Sequence, residues 1–249
     1  MSATSVPNFS VEDISAHALY LEEPWHSSKG RAIREIIFGS NDGLVTTLGF
    51  LVGVYGALQD RRIILIAGIA EAAAGAISMA TGSYLSSKAE REYYEREMNR
   101  EIREMREKPE QERDEVRKIY REKGFEGAEL EMVVARITAD PRVWLHCMME
   151  EELGLIAEPA GAPLWGAMVI GIAFVLGALV PLLPYVLLAG RQALWMSIGG
   201  SVVTLFTLGA TKTSLTKRQW WAGGLEMLTL GMFACLVGYV VGCFVGTLH

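Results

Sequence analysis

Several features are scarce in this sequence, and each absence narrows the class of protein. Only three cysteines occur in 249 residues, Cys147, Cys235 and Cys243, so no disulfide framework is expected. There is no basic excess: 23 Lys and Arg stand against 29 Asp and Glu, and the pI is near 5.4, which disfavours a nucleic-acid partner. The first 35 residues contain no apolar core ahead of a cleavage site, so no signal peptide is expected.

Charge is abundant but unevenly distributed. Hydrophobic residues make up 51% of the chain and charged residues 21%, a combination that fits neither a soluble domain nor a plain bundle of membrane spans. Residues 88–160 hold 20 of the acidic and 14 of the basic residues, a net charge of −6, and the rest of the chain is neutral overall. The acidic surplus therefore lies in one block, where it attracts cations.

Five apolar stretches are long enough to cross a membrane, which takes about 20 residues. They cover residues 36–58, 63–87, 164–188, 193–211 and 220–248. We predict an all-α integral membrane protein with five transmembrane helices and a cytosolic helical insert between the second and third. Its parts are an N-terminal arm, a transmembrane hairpin, the insert and three further spans, at residues 1–34, 35–87, 88–160 and 161–249.

The distribution of Lys and Arg predicts the orientation, because these residues favour the cytosolic side. The arm, the insert and the turn at 212–218 carry 20 of the 23 basic residues. These parts are therefore predicted to be cytosolic and the C-terminus to lie outside. In the arm, Ser10 and Asp13 resemble a capping box for a short amphipathic helix on the membrane surface. A partly ordered tail is the alternative.

Two carboxylates interrupt the first two spans. Asp42 lies in FGSNDGLVTTLG, and Glu71 lies in IAEAAAGAISMATGSYLSS, eight residues before Met79. Ionisable groups inside a membrane are costly and usually face a pathway or a partner. A helical rise of about 1.5 Å per residue predicts Asp42 and Met79 at similar depth and Glu71 nearer the midplane. Carboxylate oxygen with thioether sulfur suits Fe²⁺ better than Na⁺, Mg²⁺ or Ca²⁺. The alternative is a protonated Glu71 that hydrogen-bonds a neighbouring helix.

The acidic block repeats one spacing of carboxylates. Two predicted adjacent helices each carry a pair of glutamates three residues apart, and a later helix places a glutamate beside two methionines; these residues are Glu101, Glu104, Glu112, Glu115, Met148, Met149 and Glu152. Helical bundles build iron sites from carboxylates on facing helices, so the set is a candidate metal site. Solvated surface is the alternative for either glutamate pair.

Other polar residues of the block carry less weight. His146 and Cys147 lie next to the two methionines, but a structural role is the simpler interpretation of each. The Glu-x-x-His signature of di-iron carboxylate proteins is missing from the block, which disfavours redox chemistry there.

The motifs GSNDG at 39–43 and AEAAAGAISMATGSYLSSKAE at 70–90, the acidic insert and the closing pair of spans resemble the vacuolar iron transporter family. The resemblance runs from about Arg31 to the end. It implies a dimeric, non-enzymatic antiporter that moves Fe²⁺, and often Mn²⁺, out of the cytosol in exchange for protons, with no permanently bound cofactor. The membrane would be vacuolar in a eukaryote and the plasma membrane in a bacterium.

The resemblance also assigns residues. Asp42, Glu71 and Met79 correspond to a pathway between the two protomers, the seven insert residues to a cytosolic metal-binding domain, and Glu35 to an entrance carboxylate. Small residues on the first two spans would let two copies pack around that pathway: Gly39, Gly43, Gly49, Gly53, Gly75 and Gly82.

Two rival hypotheses are compatible with the same residues. A membrane-anchored cytosolic protein that binds or oxidises iron would use the insert alone and would lose nothing on Glu71→Ala. A structural membrane protein with an acidic domain would bind no metal. The transporter hypothesis predicts instead that Glu71→Ala abolishes function and that loss of the insert only reduces capture.

Overall fold

The computed structural model describes residues 27–155, 163–215 and 219–247, and within these ranges every regular element is helical. The α-helices are α1 Ser27–Leu58, α2 Arg61–Glu107, α3 Pro109–Glu122, α4 Gly127–Ile137, α5 Pro141–Cys147, α6 Pro163–Leu187, α7 Gly190–Leu215 and α8 Trp220–Gly246. A π-helical turn, Met148–Glu152, follows α5. The capping box predicted at Ser10 lies outside the described residues.

Five helices are long and apolar enough to span a membrane: α1, α2, α6, α7 and α8. The predicted all-α fold is therefore confirmed, with five helices that could span a membrane. The second span continues without a break to Glu107, beyond the apolar stretch that ends at residue 87. The orientation of the termini and the cytosolic position of the insert stay predictions.

A tight turn joins the first two spans. Gln59 has a positive φ of 50°, and the Asp60 carboxylate then accepts hydrogen bonds from the backbone N–H groups of Arg62 and Ile63, at 2.7 and 3.2 Å. These bonds satisfy two of the N–H groups that the start of a helix leaves free. Arg61 also donates its Nε to the carbonyl of Tyr185, at 2.9 Å, and so ties this turn to the end of α6.

Glycines bring α1 against two other spans. A Cβ atom at Gly43 would overlap the carbonyl of Phe174 on α6, and one at Gly53 would lie 2.8 Å from the carbonyl of Gly238 on α8. Small residues allow such close helix contacts in membrane proteins. Five of the six glycines expected to serve contacts between two copies instead meet α6 or α8 of the same chain, and only Gly82 has open space around it. That interpretation of the glycines is wrong for those five.

The chain divides into two compact units, one containing Ser86–Ala160 and the other Lys29–Leu85 with Gly161–His249. The insert has its own hydrophobic cluster, built from α2, α3, α4, α5 and the π-helical turn. Asp140 caps α5 by accepting a hydrogen bond from the backbone N–H of Arg142 at 2.9 Å. The insert is thus a packed helical unit rather than an extended acidic loop.

Candidate metal centre

The candidate centre in the insert begins with two buried glutamates on successive helices. Lys108 and Pro109 separate helix α2 from helix α3, and the proline lies in the first turn of α3. Glu101 shares the buried face of α2 with Ile102 and Met105, and Glu112 shares that of α3 with Val116. Each carboxylate therefore lies among apolar side chains, where an ionised group is costly unless it is paired.

Glu101, Glu112 and Glu152 come together at this point. One carboxylate oxygen from each lies within 4.8 Å of the others. Glu101 is 2% exposed and Glu112 4%, whereas Glu152 is exposed. Among the described residues, Oε2 of both buried glutamates is enclosed and has no hydrogen-bond partner. Two unpartnered buried carboxylate oxygens and a third at the surface form a donor set that suits a divalent cation.

Burial and mutual repulsion raise the pKa values of these three carboxyl groups. Desolvation, followed by the charge of Glu152, raises the pKa of Glu101 to about 7. Desolvation, followed by the charges of Glu115 and Glu101, raises the pKa of Glu112 to about 8. The pKa of Glu152 is also raised, chiefly by desolvation. Without a cation, the two buried carboxyls therefore hold protons near neutral pH.

Glu104 and Glu115 lie around the three-carboxylate group. Their negative charges contribute to the raised pKa values of Glu101, Glu112 and Glu152, so both lie close enough to attract the same ion. Glu104 also accepts a hydrogen bond from Nε of Arg100, at 3.3 Å. The structure thus gathers the five predicted glutamates in one region of the insert.

The two methionines are placed by the π-helical turn. Within it the backbone N–H of Leu153 bonds to the carbonyl of Met148, five residues earlier, at 3.1 Å. Met148 and Met149 are both fully buried in the hydrophobic cluster of the insert, while Glu152 is turned towards the carboxylates. Single π-helical turns are frequent at functional sites. The sequence prediction assumed α-helical spacing here and missed this turn.

His146 and Cys147 stay outside the three-carboxylate group. His146 pairs through Nε2 with Glu150, at 3.3 Å. Burial, followed by the charge of Glu151, raises the pKa of the Cys147 thiol to about 11. A thiol that remains protonated at neutral pH is a poor metal ligand.

In the other unit, Glu71 is held by the first span. The Thr47 hydroxyl donates a hydrogen bond to Oε2 of Glu71, at 2.7 Å. One turn further along the hairpin, Gly68 lies against Leu51, so α1 and α2 are antiparallel in this register. Glu71 does bond a neighbouring helix, as the alternative interpretation required.

The same register locates the other two predicted pathway residues. Asp42 lies five residues before Thr47 and Met79 eight residues after Glu71, towards the same end of the hairpin. At about 1.5 Å per residue, their levels along the hairpin differ by roughly 4.5 Å. Both are half-buried, and Met79 packs against the cluster that includes Phe174.

Comparisons with known proteins identify the family. The sequence profile of the VIT family matches residues 33–243. The chain is 39% identical over 217 residues to vacuolar iron transporter 1 of Arabidopsis thaliana, with 86% of each chain covered. It is 34% identical over 226 residues to vacuolar iron transporter 1 of Oryza sativa subsp. japonica, with 90% of each covered. The chain belongs to the VIT family.

The VIT family match also reaches beyond plants and contains every predicted site residue. The chain is 30% identical over 220 residues to the vacuolar iron transporter of Plasmodium falciparum, covering 84% of this chain and 81% of the relative. Glu35, the predicted entrance residue, is buried on α1 and lies within the matched range. A Cβ atom at Gly166 on α6 would lie 2.6 Å from Oε1 of Glu35, so this glycine makes room for the carboxylate.

Proposed function

We propose that this VIT family protein transports ferrous iron out of the cytosol across a membrane in exchange for protons. Its relatives are named vacuolar iron transporters, and five of its helices are long enough to span a membrane. The observation that carries the choice of a divalent metal ion as substrate is the pair of buried, unpartnered oxygens on Glu101 and Glu112 beside Glu152, because a divalent cation would compensate their negative charge.

Capture is the first step of the proposed mechanism. The insert, with the surplus of acidic residues, faces the cytosol and attracts Fe²⁺. The ion binds between Glu101, Glu112 and Glu152 and displaces the protons that the two buried carboxyls hold near neutral pH. Glu104 and Glu115 add attraction around it. The sulfur atoms of Met148 and Met149 are the proposed soft ligands, and they favour Fe²⁺ over Mg²⁺ or Ca²⁺.

Passage through the spans is the second step. The ion passes Glu35 and then binds at the level of Asp42 and Met79 before it reaches Glu71. Protons from the outer side compete with the ion for Glu71, so protonation weakens the hold on the metal and drives release. Two copies of the chain form a homodimer, in which carboxylates from both protomers neutralise the charge of the ion as it crosses the dry core.

The proposal also covers the substrate range and the location. Mn²⁺ accepts similar carboxylate ligands and is a second proposed substrate. The N-terminal arm and the insert lie in the cytosol, and the C-terminus lies on the other side. The membrane is a vacuolar membrane in a eukaryote and the plasma membrane in a bacterium.

Transport by the purified protein tests the proposal. Fe²⁺ flux is measured anaerobically in proteoliposomes with an imposed pH gradient, for the wild type and for Glu71→Ala. We expect flux that follows the gradient in the wild type and none in the variant. Wild-type vesicles that show no flux, although the protein still binds Fe²⁺ in detergent, would contradict transport.

A membrane-anchored protein that binds or oxidises iron is the second candidate, because the three-carboxylate group would serve it equally well. It predicts that deletion of residues 88–160 abolishes all activity and that Glu71→Ala has no effect. The transport hypothesis predicts that the deletion lowers the apparent affinity for Fe²⁺ while Glu71→Ala stops flux. Assaying both variants in the same vesicles separates the two functions.

A further inference from the structure

Thr47 differs from the other threonines of the spanning helices. Eight threonines in or directly after these helices donate their hydroxyls to carbonyls three or four residues earlier in their own helix: Thr46, Thr81, Thr204, Thr207, Thr211, Thr213, Thr229 and Thr247. Such local bonding is the ordinary way for a threonine to satisfy its hydroxyl inside a helix. The Thr47 hydroxyl instead donates to the side chain of Glu71 on the next span.

The surroundings of Thr47 make this bond specific. Its side chain is 0% exposed, and Leu44, Leu48 and Leu51 of the same helix are equally buried. Valine has nearly the same shape and would fill such a site without a polar group. A buried hydroxyl is costly unless it has a hydrogen-bond partner, and a hydrogen bond to a carboxylate is stronger than one to a neutral acceptor. The polar contact therefore explains a hydroxyl at this position better than packing does.

The bond leaves half of the Glu71 carboxylate unoccupied. Oε2 accepts from Thr47 at 2.7 Å, and among the described residues Oε1 accepts no hydrogen bond. Glu71 is half-buried, so its carboxylate is not sealed inside the bundle. A glutamate side chain has three rotatable bonds, and fixing one oxygen removes much of that freedom before a ligand arrives. The other oxygen is then presented in a narrower range of orientations.

We propose that Thr47 is a positioning residue for ion transport, which holds Oε2 of Glu71 against the first span and leaves Oε1 to bind the ion. The inference rests on the proposed function insofar as Glu71 is an ion ligand. Groups that orient a metal ligand typically contribute about ten- to a hundredfold to metal affinity. Thr47 does not contact the ion and acts only through Glu71.

The experiment measures how well Fe²⁺ protects Glu71 from chemical modification. The full-length protein in detergent is treated anaerobically with dicyclohexylcarbodiimide, which modifies carboxyl groups. Mass spectrometry follows modification of the peptide that contains Glu71. Fe²⁺ is then titrated to find the concentration that halves the rate of this modification. Thr47→Val should raise that concentration about tenfold or more. Thr47→Ser keeps the hydroxyl and should restore protection close to the wild type. Thr204→Val, which removes a hydroxyl bonded within its own helix, is the matched control and should change nothing.

Equal protection in Thr47→Val and the wild type would overturn the inference, as would a Thr47→Ser variant that behaves like Thr47→Val. A wild type that Fe²⁺ does not protect at Glu71 would overturn it too. In proteoliposomes, the KM for Fe²⁺ should rise in Thr47→Val while the rate at saturating Fe²⁺ stays closer to the wild type. Absence of wild-type flux with protection intact would contradict transport, and the protection assay would still decide the role of Thr47.

Discussion

Glu101 on α2 and Glu112 on α3 face one another across the break between these two helices. In each carboxylate, Oε2 is buried and has no hydrogen-bond partner among the described residues. Buried polar atoms in folded proteins almost always have a partner, so two such oxygens in one place call for a physical explanation. A cation bound between them, with Glu152 at the surface, satisfies both.

Replacing a buried carboxylate should weaken metal binding selectively. Glu112→Gln keeps the size of the side chain but removes one negative charge from the three-carboxylate group, so we expect Fe²⁺ affinity to fall about tenfold or more. Anaerobic calorimetry on the purified protein measures it. Glu110→Gln is the matched control, because Glu110 lies on the same helix, is highly exposed and pairs with Arg113. A similar loss in both variants would show that general charge, rather than this group, binds the ion.

Metal binding should release protons. The pKa values of about 7 for Glu101 and about 8 for Glu112 mean that the metal-free carboxyls carry protons at pH 7, and a bound cation requires them as carboxylates. The affinity for Fe²⁺ should therefore rise from pH 6 to pH 8.5 and level off above that. Calorimetry in buffers of different ionisation enthalpy counts the protons, and Glu112→Gln should release fewer. Binding without proton release at pH 7 would contradict the prediction.

The same shifts predict how stability depends on pH. Both glutamates have folded-state pKa values above the ordinary 4.5, so the folded state binds their protons more tightly than the unfolded state. Below pH 4.5 both groups are protonated in the folded and in the unfolded state, so they do not make stability depend on pH. As the pH rises from 4.5 through 8, the unfolded state ionises first and the metal-free folded protein becomes less stable. Thermal unfolding of the metal-free chain should therefore occur at lower temperature at pH 8.5 than at pH 6. In Glu112→Gln this decline should be smaller, and a decline as steep as the wild type's would contradict the assignment.

Much of the fold could be predicted from the sequence because long apolar runs and helix breakers act locally. A proline such as Pro109 ends the helix before it, and a capping residue such as Asp140 marks the start of the next one. Both signals are local, so the helices of the insert were predictable to within a few residues. The glutamate spacing also indicated which carboxylates share a helix face. The convergence of the pairs on α2 and α3 required only that these two successive helices pack together.

Other features depend on contacts that a sequence does not display. The π-helical turn at Met148–Glu152 has no local signature in the sequence. The role of Gly43 depends on where α6 passes, which only the packed bundle defines. Thr47 resembles its neighbour Thr46 in sequence, yet one bonds across to Glu71 and the other within its own helix.

The glycine contacts yield a test of packing within one chain. Gly43→Ala places a Cβ against the backbone carbonyl of Phe174, which cannot rotate away, so we expect a loss of about 1–3 kcal/mol in stability from overpacking. Gly82→Ala has open space around it and should gain up to about 1 kcal/mol from helix propensity. Size-exclusion chromatography after heating gives the midpoint of each variant in detergent. Equal midpoints would contradict the close contact of α1 with α6, and a large loss in Gly82→Ala would indicate that a second copy covers that face of α2.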